Sequence, residues 1–398
     1  MASPVDTSGK FYREDVPGAP VLNGVAGSLI GLLEACLCTG FGLRSATSLV
    51  VAGGVATLTL ASDAKNGNLL DSVILVENSS IAALNGEQRV TWASSTELKF
   101  ATAAADGTAT GSITVKTAPA GWEKKFSGTN KAVFKSLAVE ANTSYLQVRD
   151  TGTTSANVRA YEAMTDVDSG TGAAPTVSDS ATGGFWAKSS AANATGNRWD
   201  LFADARAFYY CPVPNSGGNS TLVGQGAYFY GDVIAFKSSD AFATALFSSS
   251  AAPGNSANAG SVFFGTQSSS VARFARSYAG LGAAVPAFSP PVSGSNTLYS
   301  GADATWGAFP APTDGGLRIS ALHATESAVS GVNAVLRGVA PGAYHVPQTG
   351  LKEAFQRGDR VIAEGKMLYA VYAGGGFTDT VISNNSGRGF FDIAGPWR

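Results

Sequence analysis

The chain is poor in charge. Of its 398 residues only 14% are Asp, Glu, Lys or Arg, and 44% are hydrophobic; the charged share in globular proteins is roughly 25%. Net charge is −2, and no run of Lys or Arg exceeds two adjacent residues. A nucleic-acid binder needs a basic stripe to displace counterions, so that class is excluded. Lys124-Lys125 beside Trp122 and Phe126 comes nearest, and a solvated strand edge explains it.

Histidine is scarcer still. His323 (in ALHATES) and His345 (in GAYHVPQ) are the two there are, and no G-x-S-x-G nucleophile accompanies them. The three cysteines are Cys36, Cys38 and Cys211. Cys36 and Cys38 fall about 200° apart around a helix and cannot pair. So few thiols suit folding in a reducing cytoplasm, and a CxC metal site lacks further ligands. No long apolar run survives either. The run from Val25 is cut by Glu34 and several glycines, too short to span a bilayer. Residues 1–20 are polar, and Glu14-Asp15 break any basic leader, so neither secretion nor membrane insertion is expected. No catalytic, cofactor-binding or metal-ligating residue is assigned.

What fills the chain is glycine, 48 residues, with alanine, serine and threonine. That mix favours short strands, tight turns and close backbone contacts. A surface low in charge is cheap to desolvate, which points to assembly with other subunits.

One stretch reads as an amphipathic helix: residues 18–43, GAPVLNGVAGSLIGLLEACLCTGFGL. Leu29, Ile30, Leu32, Leu33, Cys36 and Leu37 share one arc; Gly31, Glu34, Ala35 and Cys38 share the other. Ser28 is the expected cap, and Gly40 and Gly42 the expected end. Before it, residues 1–17 read as an extended arm, with Phe11-Tyr12, suited to docking on a neighbour. The helix is expected to link this arm to the β-domains, one face in its own core and part in a neighbour's.

The rest reads as mainly β. Residues 47–60 (TSLVVAGGVATLTL) form a hairpin about Gly53-Gly54. Strands follow at 71–77, 87–94, 97–103 and 111–118, with Val90, Trp92, Leu98 and Phe100 facing inward. Residues 18–120 are therefore expected to hold the helix and a small antiparallel barrel or sandwich. Residues 118–129 read as a joint with a tryptophan anchor. A larger antiparallel, sandwich-like domain is expected over 130–398. Its low-complexity stretches, 248–261 and 286–303, read as loops reaching solvent or a neighbour. The closing Trp397-Arg398 reads as a terminus pinned into the fold or a partner.

Four constellations bear on chemistry. Carboxylates Glu162, Asp166 and Asp168, or Asp200, Asp204 and Asp232, could serve a glycan hydrolase. Asp166 and Asp168 in TDVDSGTG also suggest a calcium loop, but the later acidic ligand is missing and an Asx turn explains them. Trp186, Trp199, Tyr209, Tyr210, Tyr228 and Tyr230 could stack a saccharide; alternation along strands puts half of them in the core. Gly374-Gly375-Gly376 lack the lysine and strand–helix setting of a phosphate loop.

Several strings resemble a known family. They are residues 18–43 above, Leu84-Asn85-Gly86 with Val90-Thr91, TATGSITVKTAPAGWEKKFSGTN (108–130), RDTGTTSANVRAYEAMTDVDSGTG (149–172) and the closing FFDIAGPWR. Together, over nearly the whole length, they are similar to virion structural proteins of tailed bacteriophages and prophages. The resemblance implies a structural virion component made in the bacterial cytoplasm, of the tail, baseplate or adsorption apparatus. Its partners would be other virion proteins and copies of itself, with no cofactor. A host-saccharide receptor role, a head-surface or head–tail junction role and a virion glycan hydrolase are the alternatives.

Overall fold

Gly53 and Gly54 both take positive φ, 57° and 77°, which a primed two-residue turn requires. Strands Ser48–Ala52 and Val55–Thr59 pair from Ala52↔Val55 to Ser48↔Thr59 on either side of it. The hairpin seeds a five-stranded antiparallel sheet with Trp92–Ala93, Glu97–Ala101 and Gly107–Thr108. A four-stranded sheet accompanies it: Phe41–Ser45, Thr114–Thr117, Val73–Glu77 and Gly86–Arg89. Leu49, Leu58, Leu98 and Phe100 of the first, with Ile74, Val76 and Val115 of the second, are buried in one core. The computed structural model describes residues 3–214, 223–250, 271–289, 305–326, 335–377 and 386–398.

The fold is mainly β, as its composition implied, with sandwich-like sheets and no closed barrel among the described residues. Trp92 departs from expectation: it points outward and is exposed. The chain crosses from one small sheet to the other between Arg89 and Trp92, which breaks the alternation that Val90 began. Trp92 then pairs with outward-facing Lys99, which lies over its ring at 4.7 Å.

Residues 118–129 are not a simple joint. Trp122–Gly128 is the first strand of another five-stranded sheet, followed by Lys131–Ser136, Tyr145–Arg149, Ser155–Tyr161 and Gly184–Ala187. Trp122 does anchor it, buried, with its indole N–H donating to Asp204 O at 3.0 Å.

The remainder builds a fourteen-stranded antiparallel sheet. It folds over, so that Phe391 of Ser386–Asp392 stacks on Phe202 of Arg198–Ala203, centroids 4.2 Å apart. Its first strand is Lys10–Arg13, inside the expected arm, paired with Arg198–Ala203 from Lys10↔Ala203 to Arg13↔Asp200. The arm therefore docks on its own chain: Phe11, Tyr12 and Val16 are core residues. At the other end Trp397 is buried, and Arg398 Nε donates to Asp204 at 2.7 Å.

The helix is shorter than the pattern suggested. Ser28–Leu33 is α-helical, Glu34–Thr39 winds more loosely as a π-turn, and Gly40 ends it with φ 71°. Leu29, Leu32, Leu33, Cys36 and Leu37 are buried, as their arc required. Ser28 does not cap it; its hydroxyl donates to Asn23 O. The cap comes from Asp150, whose Oδ2 accepts the Leu29 N–H at 2.8 Å. Among the described residues, no helix is long and apolar enough to cross a membrane.

Candidate functional site

A catalytic carboxylate must be free to move a proton or touch substrate. Glu162 is instead clamped by Arg276 in a two-pronged pair, 2.6 and 2.8 Å. Asp200 is buried and accepts from Arg357 Nε (2.7 Å), Tyr369 Oη (3.0 Å) and Gln225 Nε2 (2.7 Å). Burial, together with the Asp200 charge, holds the Tyr369 hydroxyl well above its usual range. Asp204 takes Arg398 and the backbone N–H groups of Arg206 and Ala207. Asp232 takes Arg206, Thr244 Oγ1 and the Asn142 N–H. Each of these four carboxylates has its charge answered by an arginine of the same chain, an arrangement that fastens strands and loops to one another.

Asp166 is the centre of an Asx turn, its Oδ1 accepting from Asp168 N (2.7 Å) and Ser169 N (2.8 Å). Asp168 pairs with Lys131 at 2.9 Å, which occupies both its oxygens. Among the described residues no group of three or more His, Cys, Asp or Glu side chains could hold a metal. His345 is buried in the large sheet, and half-buried His323 lies beside the Phe236 ring. The three thiols are free, with Cys36 and Cys211 buried. Burial pushes both of those up, and Cys38 up to about 12, with Glu34 adding to the burial effect.

The six aromatics proposed as a saccharide platform are all in the core. The half-outward expectation fails because the large sheet is covered on both faces. Tyr210 and Tyr228 lie against Trp186 of the middle sheet, centroids 5.8 and 5.9 Å. Neighbouring Tyr209 meets Phe391 at 4.9 Å on the other face. The low-complexity stretches fall, at 251–261 and 290–303, outside the described residues.

What remains uncommitted is surface. Strand Ile234–Ala235 pairs along the outside of Val335–His345. Beside it opens a cleft of about 250 Å³ lined by Glu140, Asn142, Arg206, Ile234, Ser238 and Arg398. Next to lining residues in the chain stand two large exposed apolar side chains, Val139 (92% exposed) beside Glu140 and Phe236 (59%) beside Ala235. Nothing in the sequence marked them, because single apolar residues in polar loops are ordinary until the fold groups them. A second exposed feature is a row across the small five-stranded sheet. Register aligns Trp92, Lys99, Thr57, Val50 and Thr108 on its outer face.

No family model matches this chain, and no curated protein matches it either.

Proposed function

We propose that the chain is a structural subunit of a tailed-phage virion, of the tail or baseplate, and acts by assembling with other virion proteins and with copies of itself. The observation that carries the reading is the contrast between its inside and its outside. Charged and aromatic side chains that could do chemistry are spent inside, clamped or buried. Large apolar side chains, Val139 and Phe236 beside the cleft among them, are left outside, where water makes them costly and a partner would cover them. The low overall charge and the family resemblance support the same reading.

The test is genetic. Particles grown without the gene should be incomplete by negative-stain microscopy and non-infectious, with both defects reversed by complementation. Normal particles and normal titre without the gene would overturn the reading.

A second reading, host-saccharide binding, is favoured by a different surface from the one the sequence suggested. At about 4.8 Å between strands, the Trp92-to-Thr108 row spans about 19 Å and sets the exposed Trp92 ring, covered on one face by Lys99, in line with the hydroxyls of Thr57 and Thr108. Binding to a host-glycan array that is lost in Trp92→Ala would support it. No binding by the intact chain would remove it.

A further inference from the structure

We propose that the face around Phe236 receives a second copy of this chain, related by a two-fold axis that sets Glu140 of one copy against Lys237 of the other. The inference rests on the assembly reading and names the surface that carries it.

Phe236 N donates to Arg337 O at 2.9 Å, which fixes the exposed Phe236 along the edge of Val335–His345. Lys237 Nζ donates to Tyr278 O at 3.1 Å, which brings that loop to the same edge. The cleft brings Glu140, next to Val139, to Ile234 and Ala235, and Lys237 follows Phe236 two residues after Ala235. An acid, a base and exposed apolar side chains therefore stand beside the same short strand.

The floor beneath is fixed. Arg337 is fully buried and binds Asp240, Glu326 and the carbonyls of Arg276 and Phe242. Its guanidinium lies 4.1 Å from the Phe274 ring centroid. A surface held this firmly loses little freedom on docking.

Charge decides the occupant. Arg206, Arg398 and Asp240, at the cleft, are neutralised within the chain by Asp232, Asp204 and Arg337. Glu140 and Lys237, among the described residues, have no opposite charge within ion-pair distance. A face with one open acid and one open base is self-complementary under a two-fold rotation, which satisfies both charges twice. An unrelated partner would have to supply the mirror-image set; a second copy carries it already. The cleft also suits a lysine. Val233, Ile234 and Ala243 can line its aliphatic stem, while Glu140 and Asn142 meet its ammonium head.

Sedimentation velocity on the purified full chain tests this, with circular-dichroism melts to confirm that each variant folds. The wild type should form a dimer that dissociates on dilution. Glu140→Lys and Lys237→Glu should each raise the dissociation constant about tenfold or more, as like charges then meet across the axis. The double charge swap should recover most of the loss, and Phe236→Asp should leave a folded monomer. A wild type that stays monomeric at every concentration would overturn the proposal and leave the face to a different protein. So would a dimer indifferent to Phe236→Asp, or a double swap no better than the singles. Because these outcomes concern the purified chain alone, they stay separable from whether it is in the virion.

Discussion

Arg89 Nη1 donates to the carbonyl of Ile393 at 2.6 Å, across 304 positions of sequence. The same guanidinium donates to Gly9 O (2.6 Å), Asp6 O (2.7 Å) and Asp71 O (2.8 Å). One nearly buried side chain thus ties the arm and the last strand to the four-stranded sheet. Arg89→Met keeps the bulk but orphans four carbonyls. It should cost about 3–5 kcal/mol, since hydrogen bonds to charged groups contribute about 1.5–3 kcal/mol each and are not additive. Denaturant melts read this directly, and a loss under about 1 kcal/mol would refute the staple.

The arm is a part of the core, which changes what its removal should do. Deleting residues 1–17 takes away Phe11, Tyr12 and Val16, and also Glu14, which pairs with Arg357 at 2.6 Å. Removing buried aromatics costs about 3–5 kcal/mol each, and whole domains hold only about 5–15 kcal/mol. The truncated chain should aggregate or melt without a cooperative transition. A soluble product with the wild-type melting curve would return the arm to a docking role.

Asp150 and Lys188 form a fully buried pair at 2.5 Å that also caps the helix. Burial raises the Asp150 carboxyl, and the Lys188 hydrogen bond and charge oppose that shift. Lys188→Met or Asp150→Asn alone strands a buried partner and should cost about 3–5 kcal/mol. The double substitution should cost clearly less than the sum. Additive losses in a double-mutant cycle would show that the two act separately.

The cysteines give a pH signature. With Cys38 pushed up to about 12, its native thiolate fraction at pH 8 is on the order of 10⁻⁴, and burial pushes the Cys36 and Cys211 thiols up as well. A thiol-specific chromophoric reagent should leave the folded chain unmodified and label all three cysteines once it is unfolded. These thiols bind their protons more tightly folded than unfolded. Their contribution to stability is therefore full below pH 9, the ordinary thiol value, and falls as pH rises towards 12. Rapid labelling of the native chain at pH 8 would contradict this.

How much was legible follows from range. The Gly53-Gly54 hairpin and the Gly40 helix end depend on their own backbone, so the local string sufficed. The helix cap did not: its acceptor sits 121 positions away, and Ser28 merely looked the part. Alternation identified opposite faces for Tyr209 and Tyr210 but could not say that both were covered. The arm looked detached because its pairing partner, Arg198–Ala203, lies far along the chain. Of the candidate sites, the carboxylates were found by type, but their arginine partners come from distant strands and loops. The Phe236 face has no local signature at all.

The proposed place of this chain in the virion is checked by quantitative mass spectrometry of gradient-purified particles. The chain should be found in the particle band at a fixed ratio to the major structural proteins, unchanged by high-salt washing. Its presence in the infected-cell lysate but absence from washed particles would contradict the account.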